Sequence, residues 1–383
     1  MKSSENNPAL LPAGFFDLLP GEATAEARGL RSIMDVLAAY GYERVRPPLL
    51  EFEESLLSAG GAALSEQAFR IMDPTSHRMM ALRPDMTTQI ARMSQVRLGE
   101  RARPLRLSYS GECVVIGSQG RDSARQMLQA GLELIGPDSP AADAEVVAVS
   151  VAALERVGID LSEVSFDISM PTLVWRILEV CPPERRPALA EALERRDSAA
   201  IAKHGGADSA LLVGLAEASG PANHALAALT KLDVPSGLRA DVERLVASAR
   251  AIMARVPGLS LTIDPIECRG WRYHTGLCMA VYSRRSHEEL GLGGRYMAGQ
   301  EPACGLTLRP QALLRAARPQ EKAPRCLVPD TLDDGALHTL HGQGYVTIAP
   351  HAPWPATQEG VKALAARHRC KNAWMEGKAV QAV

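Results

Sequence analysis

Two neighbouring segments decide the fold of this chain, PLRLSYSGECVVI (104–116) and QMLQAGLELI (126–135). Both alternate or run apolar in the manner of strands, and a polar, glycine-containing stretch at 117–125 separates them. They predict an antiparallel pair of strands. Gln129 and Glu133 lie four residues apart on the second segment, so their side chains would share one face of the sheet.

Helices and a further strand are predicted on either side of this pair. Apolar residues recur at helical spacing over 30–37, after an acidic first turn, and Gly41 follows as a stop. A second helix is predicted from Ala141 to Val157, and it closes on Gly158. Alternating apolar residues over 164–168 then predict a strand.

The remainder of the chain changes character three times. Residues from about 171 to 258 are rich in Ala, Leu, Arg and Glu, which predicts a helical insertion without strands. Strand-like segments return at 259–283, a tight turn is predicted at the glycines of 291–294, and CGLTL leads into a helix that starts at Pro310. The prediction is a core over residues 1–318, then a polar linker and a small C-terminal α/β unit over 325–383.

Charge and composition exclude several classes of function. The chain has 42 Lys plus Arg against 44 Asp plus Glu, a net charge of -2, so no whole-molecule basic field favours a nucleic acid. The longest apolar stretches fall short of the ~20 residues of a membrane-spanning helix, and the first residues do not resemble a signal peptide. We therefore expect a cytoplasmic protein with no nucleic-acid or membrane partner.

No metal site or other cofactor is predicted. The seven cysteines form no CxxC pair, which argues against common zinc and disulfide frameworks. His338 and His341 are an i, i+3 pair that could bind a metal, but two histidines alone do not make a ligand set, and we do not interpret them as one.

Several ordered blocks resemble the histidyl-tRNA synthetase branch of the class II aminoacyl-tRNA synthetases. ALRPDMTTQIAR (81–92) is similar to that family's LRPEGT element, and RQMLQAGLELIG (125–136) is similar to RQFHQLGCE. ECRGWRYHTG (267–276) and GLGGRY (291–296) resemble the histidine-specific blocks, and RPPLLE (46–51) resembles the motif 1 dimer strand. The resemblance covers roughly residues 10–317. It implies an α+β fold, a class II antiparallel sheet flanked by helices.

The matched positions also supply the groups that a free amino acid needs. Such a ligand presents an ammonium, a carboxylate and a side chain, so its pocket needs fixed acceptors, one cation and partners for the side chain. The resemblance implies that histidine is bound by the acceptors Asp85, Gln129 and Glu133, with Thr87 beside them. It implies Arg269 as the cation and Tyr273 as the aromatic hydroxyl. His274 also belongs to the site, and it stands where the family has a tyrosine.

Structural alternatives remain open for these positions. Asp85 follows Pro84 and could cap a helix that starts at Met86. Gln129 and Glu133 could belong to an exposed strand face, and Arg269 could pair only with Glu267.

The residues that a synthetase uses to hold ATP do not match. When the chain is aligned to the synthetase family, the family's motif 2 arginine and glutamate correspond to Val115 and Gly117. The family's motif 3 Glu-Arg pair corresponds to Gln311 and Ala312. Positioned arginines stabilise the charge that builds on phosphates in the transition state, so no catalytic residues are assigned. Arg309 and Arg315 flank the motif 3 position, and Pro310 leaves Arg309 outside the helix.

A histidine-binding core without these arginines resembles the family of ATP phosphoribosyltransferase regulatory subunits. The resemblance implies a non-catalytic protein with a homodimer core within a hetero-octamer. Its partner would be the short-form catalytic subunit, and histidine would be the effector, bound in this pocket or at a subunit interface. The alternatives are a functional histidyl-tRNA synthetase and a stand-alone histidine-binding sensor. The arginines at 97, 101, 103 and 106 are the nearest approach to a basic patch, and we interpret them as a solvated loop.

Overall fold

The structure is a computed structural model that describes residues 10–57, 64–117, 124–267, 274–318 and 323–382. It divides the chain into two compact units, Met1–Arg318 and Pro319–Val383.

The first unit contains twelve described strands and eleven described helices. The strands are β1 (Glu43–Arg44), β2 (Leu50–Phe52), β3 (Arg70–Met72), β4 (Met79–Leu82), β5 (Leu105–Val114), β6 (Gln126–Ile135), β7 (Val164–Ser169), β8 (Gly220–Pro221), β9 (Leu261–Asp264), β10 (His274–Ser283), β11 (Glu289–Ala298) and β12 (Glu301–Leu308). The helices are α1 (Glu22–Ala39), α2 (Glu53–Leu57), α3 (Thr87–Val96), α4 (Pro140–Val157), α5 (Pro171–Val180), α6 (Arg186–Arg195), α7 (Ser198–His204), α8 (Ser209–Glu217), α9 (Ala222–Leu229), α10 (Ser236–Arg255) and α11 (Pro310–Ala316).

A nine-stranded sheet organises this unit in the order β1-β5-β6-β12-β11-β10-β7-β9-β8. β5 and β6 pair antiparallel, from Leu105 opposite Ile135 to Val114 opposite Gln126, which confirms the predicted strand pair. β6, β12, β11, β10 and β7 continue the antiparallel pattern. A broad antiparallel surface therefore runs from β5 to β7, and the functional side chains lie on it.

The long helix α4 packs its apolar residues against this sheet, as its sequence predicts. Ser139 caps its first turn by accepting the backbone N–H of Ala142 at 3.2 Å, and Pro140 occupies the first helical position. Gly158 ends the helix in the left-handed conformation, with φ of 98°. α1 lies beside α4 and buries Ile33 and Leu37 completely.

The segment from 171 to 258 contains the six helices α5 to α10, but the expectation of no strand there is wrong. Gly220 and Pro221 form the short edge strand β8, which pairs antiparallel with Ile263 and Thr262 of β9. A two-residue strand carries no alternation of its own, so only its neighbour in the sheet defines it.

The tight turn predicted at 291–294 is also wrong, because these glycines lie inside β11. A Cβ on Gly293 would lie 2.1 Å from the carbonyl oxygen of Gly305 on β12. Gly294 has φ of 154°, and a Cβ there would lie 2.6 Å from the carbonyl oxygen of Leu277. Because these glycines have no Cβ, the neighbouring strands can approach closely, and the chain does not turn here.

A separate three-stranded sheet, in the order β2-β4-β3, carries the end of the RPPLLE segment. The second unit is built around a four-stranded sheet, in the order β14-β13-β15-β16. Its elements are β13 (Arg325–Leu327), α12 (Asp334–Gly342), β14 (Val346–Ile348), α13 (Gln358–Arg367), β15 (Asn372–Met375) and β16 (Lys378–Gln381). Among the described helices of the chain, none has the length and apolar character to cross a membrane.

Candidate functional site

One cleft of the first unit collects the predicted ligand-binding positions. It opens over β6, β11 and β12, and its wall is completed by the residues before α3 and by the first residue of β10. Its lining residues are Pro84, Asp85, Thr87, Gln129, Glu133, His274, Leu292, Gly293, Gly294, Tyr296, Gly305, Thr307 and Arg309. Five of the predicted positions are therefore brought together. The other two, Arg269 and Tyr273, lie outside the described residues.

Glu133 is the most deeply placed acid of the cleft, with only 1% of its surface exposed. The hydroxyl of Tyr296 donates to its Oε2 at 2.9 Å, and the hydroxyl of Tyr109 donates to its Oε1 at 3.3 Å. Burial raises the pKa of Glu133 to about 8, with a further contribution from the nearby Asp85. The group is therefore mostly protonated at neutral pH, and a cation entering the cleft would favour its ionised form.

Asp85 combines a structural contact with a position on the cleft. Its Oδ1 accepts the backbone N–H of Thr87 at 2.8 Å, so it binds the first turn of α3 as the capping alternative requires. Its Oδ2 accepts Nε2 of Gln129 at 3.3 Å. Burial raises the pKa of the Asp85 carboxyl above its usual range. The capping role and the acceptor role are thus compatible in one side chain.

Gln129 is held in a single orientation by the groups around it. Its Oε1 accepts the backbone N–H of Met86 at 3.3 Å and lies 3.2 Å from Sγ of Cys113. Its amide nitrogen therefore points to Asp85. The alternative of an exposed strand face is wrong, because Gln129 and Glu133 are 7% and 1% exposed.

Sequence reasoning missed two arginines that build the frame of the cleft. Arg295, in the GLGGRY block, is 5% exposed, and its Nε donates to Oδ1 of the fully buried Asp143 at 2.6 Å. Asp143 also accepts the hydroxyl of Ser248 at 2.6 Å. The sequence signal for this pair was the charged Asp143 within the apolar run of α4. Its partner Arg295 lies 152 residues further along the chain, so the sequence did not connect the two.

The second missed arginine is Arg83, which ties the segment before α3 to the rest of the sheet. Its Nε donates to the carbonyl oxygen of Glu112 at 2.7 Å, and its Nη1 donates to that of Pro47 at 3.1 Å. A Cβ on Gly111 would lie 2.2 Å from its Nη2, so the bare backbone of β5 makes room for it. Arg83 therefore fixes the backbone that presents Asp85.

A wider cavity adjoins the cleft and shares Leu292 and Arg309 with it. Its other lining residues are Ala124, Met127, Leu128, Tyr282, Ser286, His287, Glu288, Glu289, Gln311, Ala312 and Arg315. Nη2 of Arg309 lies 2.6 Å from Oε1 of Glu289, and Nε of Arg315 donates to Oε1 of Glu288 at 3.1 Å. The charges of this cavity are thus arranged as pairs.

Three of the four arginines in the basic stretch between 97 and 106 are also paired with acids. Arg101 contacts Glu43, Arg103 contacts Glu301 and Arg106 contacts Glu145, at 2.8, 2.6 and 2.7 Å respectively. These contacts neutralise charge that a phosphate backbone would need. Within the described ranges, no cluster of three or more His, Cys, Asp or Glu side chains is arranged to hold a metal ion.

The described side chains of the cleft suit a small ligand that donates hydrogen bonds. Two carboxyl groups, one of them oriented by the amide of Gln129, offer acceptors to an ammonium or an imidazole N–H. Tyr109 and Tyr296 hold Glu133 in place, so ligand binding does not have to order it.

Known proteins resemble this chain over most of its length. The family model described as histidyl-tRNA synthetase matches residues 14–313. The chain is similar to the ATP phosphoribosyltransferase regulatory subunit of Gluconobacter oxydans (strain 621H), with 55% identity over 98% of this chain and 98% of the relative. It is also similar to the protein of that name from Paramagnetospirillum magneticum (strain ATCC 700264 / AMB-1), with 44% identity over 95% of this chain and 96% of the relative.

A solved structure gives the same result for the fold. The ATP phosphoribosyltransferase regulatory subunit/histidyl-tRNA synthetase from Bacillus halodurans C superimposes with a TM-score of 0.77 and 22% identity. The match covers 95% of this chain and 97% of that chain. Together with the family model, this similarity confirms the predicted α+β, class II synthetase-like fold.

Proposed function

This chain belongs to the family of ATP phosphoribosyltransferase regulatory subunits, with a regulatory role in histidine biosynthesis, and we propose that histidine bound in the cleft is the effector through which it acts. One observation carries the proposal. Asp85 from the segment before α3, and Gln129 and Glu133 from β6, line a single cleft in which Gln129 donates to Asp85 and the two carboxyl groups offer acceptors. Such a set matches the donors of free histidine.

The ligand's two nitrogen-bearing ends would bind different parts of the cleft. The ammonium would bind near Asp85, whose carboxyl group Gln129 already orients by donating to it. The imidazole would bind near Glu133, with Thr87 and His274 in the same lining. By resemblance to the synthetases, Arg269 and Tyr273 complete the site.

The chain would act without catalysing a reaction of its own. Val115 and Ala312 take the places of the ATP-binding arginines, and they are 0% and 2% exposed. Val115 is enclosed by its neighbours and Ala312 lines the wider cavity, and neither side chain carries a charge that could contact a phosphate. The nearby Arg309 and Arg315 each contact a glutamate of the wider cavity. A synthetase lacking these transition-state contacts would lose about 10²–10³ in rate for each.

The proposed partner is the short-form catalytic subunit of ATP phosphoribosyltransferase, in a hetero-octamer built on a homodimer core. The three-stranded sheet supports the dimer, because it carries part of the RPPLLE segment and exposes apolar side chains. Ile71, Met72 and Met79 are 46%, 59% and 42% exposed. Exposed apolar side chains such as these favour an interface at this sheet.

Histidine would shift the complex between active and inhibited arrangements. Coupling of this type is typically about 1–3 kcal/mol and is reciprocal, so partner or substrate binding must change the affinity for histidine by the same factor.

The test is turnover by a short-form catalytic subunit from the same organism, with and without this protein, while histidine is titrated. We expect activation, and histidine inhibition that weakens in Asp85→Asn and Glu133→Gln. Glu43→Gln is the matched control, because Glu43 is an exposed acid that pairs only with Arg101 among the contacts of the described residues.

Each alternative gives a different result. Activation with unchanged inhibition in the cleft variants would move histidine to another site, such as a subunit interface. Histidine-dependent exchange of pyrophosphate into ATP would indicate a functional histidyl-tRNA synthetase. Histidine binding without activation at any ratio would favour a stand-alone sensor.

A further inference from the structure

The cleft and the wider cavity meet at Arg309, the residue that precedes α11. Its backbone is extended, with φ of -106°, and its N–H donates to the carbonyl oxygen of Leu290 at 2.9 Å. Pro310 occupies the first position of the helix. The backbone of Arg309 is thus held on β11 and α11, while its side chain lines both cavities.

An amino-acid ligand requires a cation for its carboxylate, and the described lining of the cleft contains one arginine or lysine, Arg309. The other arginines close to the cleft have structural roles. Arg295 donates to Asp143 and to backbone carbonyl groups, and Arg83 donates to the carbonyl groups of Glu112 and Pro47. Asp85 and Glu133 supply no cation, so the ligand's acidic end must turn to another part of the wall.

The present partner of Arg309 is poorly arranged to hold it. Nη2 of Arg309 lies 2.6 Å from Oε1 of Glu289, yet this buried oxygen has no hydrogen bond of acceptable direction from the residues that the structure describes. Burial also raises the pKa of Glu289, because the carboxylate is incompletely solvated and Arg309 offsets this only in part. A ligand carboxylate with well-directed oxygens would therefore compete effectively for the guanidinium.

We propose that Arg309 binds the carboxylate of the effector by exchanging Glu289 for the ligand, and that this exchange transmits occupancy of the cleft to the wider cavity. The inference rests on the proposed function of the cleft. Because the backbones of Leu290 and Arg309 are hydrogen-bonded, the exchange involves side chains alone. It leaves Glu289 without its cation, so the charge of the wider cavity changes whenever the cleft is filled.

The test compares the calorimetric binding of L-histidine and L-histidinol, which carries a hydroxyl in place of the carboxylate, to the full chain. The wild type should bind histidine more tightly than histidinol. In Arg309→Gln we expect histidine affinity to fall by about 10-fold to 100-fold, the usual worth of a charged hydrogen bond, while histidinol affinity stays within about twofold. Glu289→Gln should strengthen histidine binding severalfold, because it removes the competitor, and should leave histidinol binding unchanged.

Arg315→Gln is the matched control, since Arg315 also lies on the wider cavity and pairs with the neighbouring acid Glu288. It should leave both affinities unchanged, and thermal unfolding of every variant checks the fold. Equal loss of both ligands in Arg309→Gln, or no loss, would overturn the exchange. If Arg269→Gln, rather than Arg309→Gln, made the affinities for histidine and histidinol equal, the exchange at Arg309 would also be overturned. The binding of histidine in the cleft would then still stand. If the wild type binds neither ligand, the proposed function of the cleft fails first.

Discussion

The cleft and the wider cavity lie side by side on one sheet and arrange their charges in opposite ways. In the cleft, hydroxyl and amide donors hold the carboxyl groups of Asp85 and Glu133 without a paired cation among the described contacts. In the wider cavity, Glu288 and Glu289 face Arg315 and Arg309 directly. The acids of the first region have no cation paired with them among the described contacts, and those of the second each face an arginine.

This difference indicates which ligand each region suits. A carboxyl group that is buried and hydrogen-bonded, but not neutralised, attracts a cation such as an ammonium. An arginine that faces a glutamate is less available to a phosphate, because the phosphate must displace the acid. The sheet thus places the acids Asp85 and Glu133, which have no paired cation among the described contacts, beside a cavity whose acids face arginines.

The most damaging change should be one that breaks the frame common to both regions. Arg295→Met would leave Asp143, which is 0% exposed, without its closest ion-pair partner. Removing one member of a buried pair costs about 3–5 kcal/mol. Urea denaturation should show a loss of this size. Arg101→Met, which breaks an exposed pair with Glu43, should cost less than about 1 kcal/mol, and equal losses in the two variants would contradict the assigned role of Asp143.

A second change should break the cleft alone. Gly305 lies opposite Glu133 in the ladder between β12 and β6, and a Cβ there would lie 1.8 Å from Oε2 of Glu133. Gly305→Ala should therefore displace Glu133, lower stability by about 1–3 kcal/mol and reduce histidine affinity more than about tenfold. Calorimetry and denaturation measure the two effects. Gly237→Ala meets nothing within 4 Å and should alter neither; histidine affinity unchanged in Gly305→Ala would place the ligand elsewhere.

A third prediction sharpens the contrast through pH. The pKa of Glu133 is raised from its ordinary value of 4.5 to about 8. Between these two pH values the folded state keeps a proton on Glu133 that the unfolded state has released. The unliganded protein should thus lose stability as pH rises through this window, by on the order of 2 kcal/mol between about pH 6 and pH 8. Unfolding free energies of the wild type and Glu133→Gln at several pH values measure the effect. A wild-type profile parallel to that of the variant would show that Glu133 is ionised in the empty cleft.

The smallest effect is expected in the wider cavity. The Arg315 side chain is 53% exposed, so its pair with Glu288 contributes only about 0–1 kcal/mol. Arg315→Gln should change the free energy of unfolding by less than about 1 kcal/mol, and the regulated complex should keep its response to histidine. A strong loss of histidine inhibition in this variant, measured by turnover of the catalytic subunit, would make the wider cavity an effector site and erase the contrast.

Much of the candidate site could be predicted because its residues lie in short blocks with a recognisable order. Asp85, Gln129 and Glu133 were all found in this way, and strand periodicity placed the last two on one face. Tyr109 and Tyr296 were missed as partners of Glu133, since a hydroxyl that positions a carboxyl group leaves no local pattern. The sequence related Arg309 only to the binding of ATP. Its position between the cleft and the wider cavity depends on β11, β12 and α11 together.

The sequence by itself determined the strand pair β5–β6, the caps of α4 and the identity of the acids, because these depend on residues within a few positions of one another. Tertiary structure alone decided that Gly293 and Gly294 serve close strand contacts instead of a turn, and that Asp143 meets Arg295. It also decided the protonation of Glu133. Burial and long-range partners set these properties, and both come from parts of the chain that meet only when the sheet has formed.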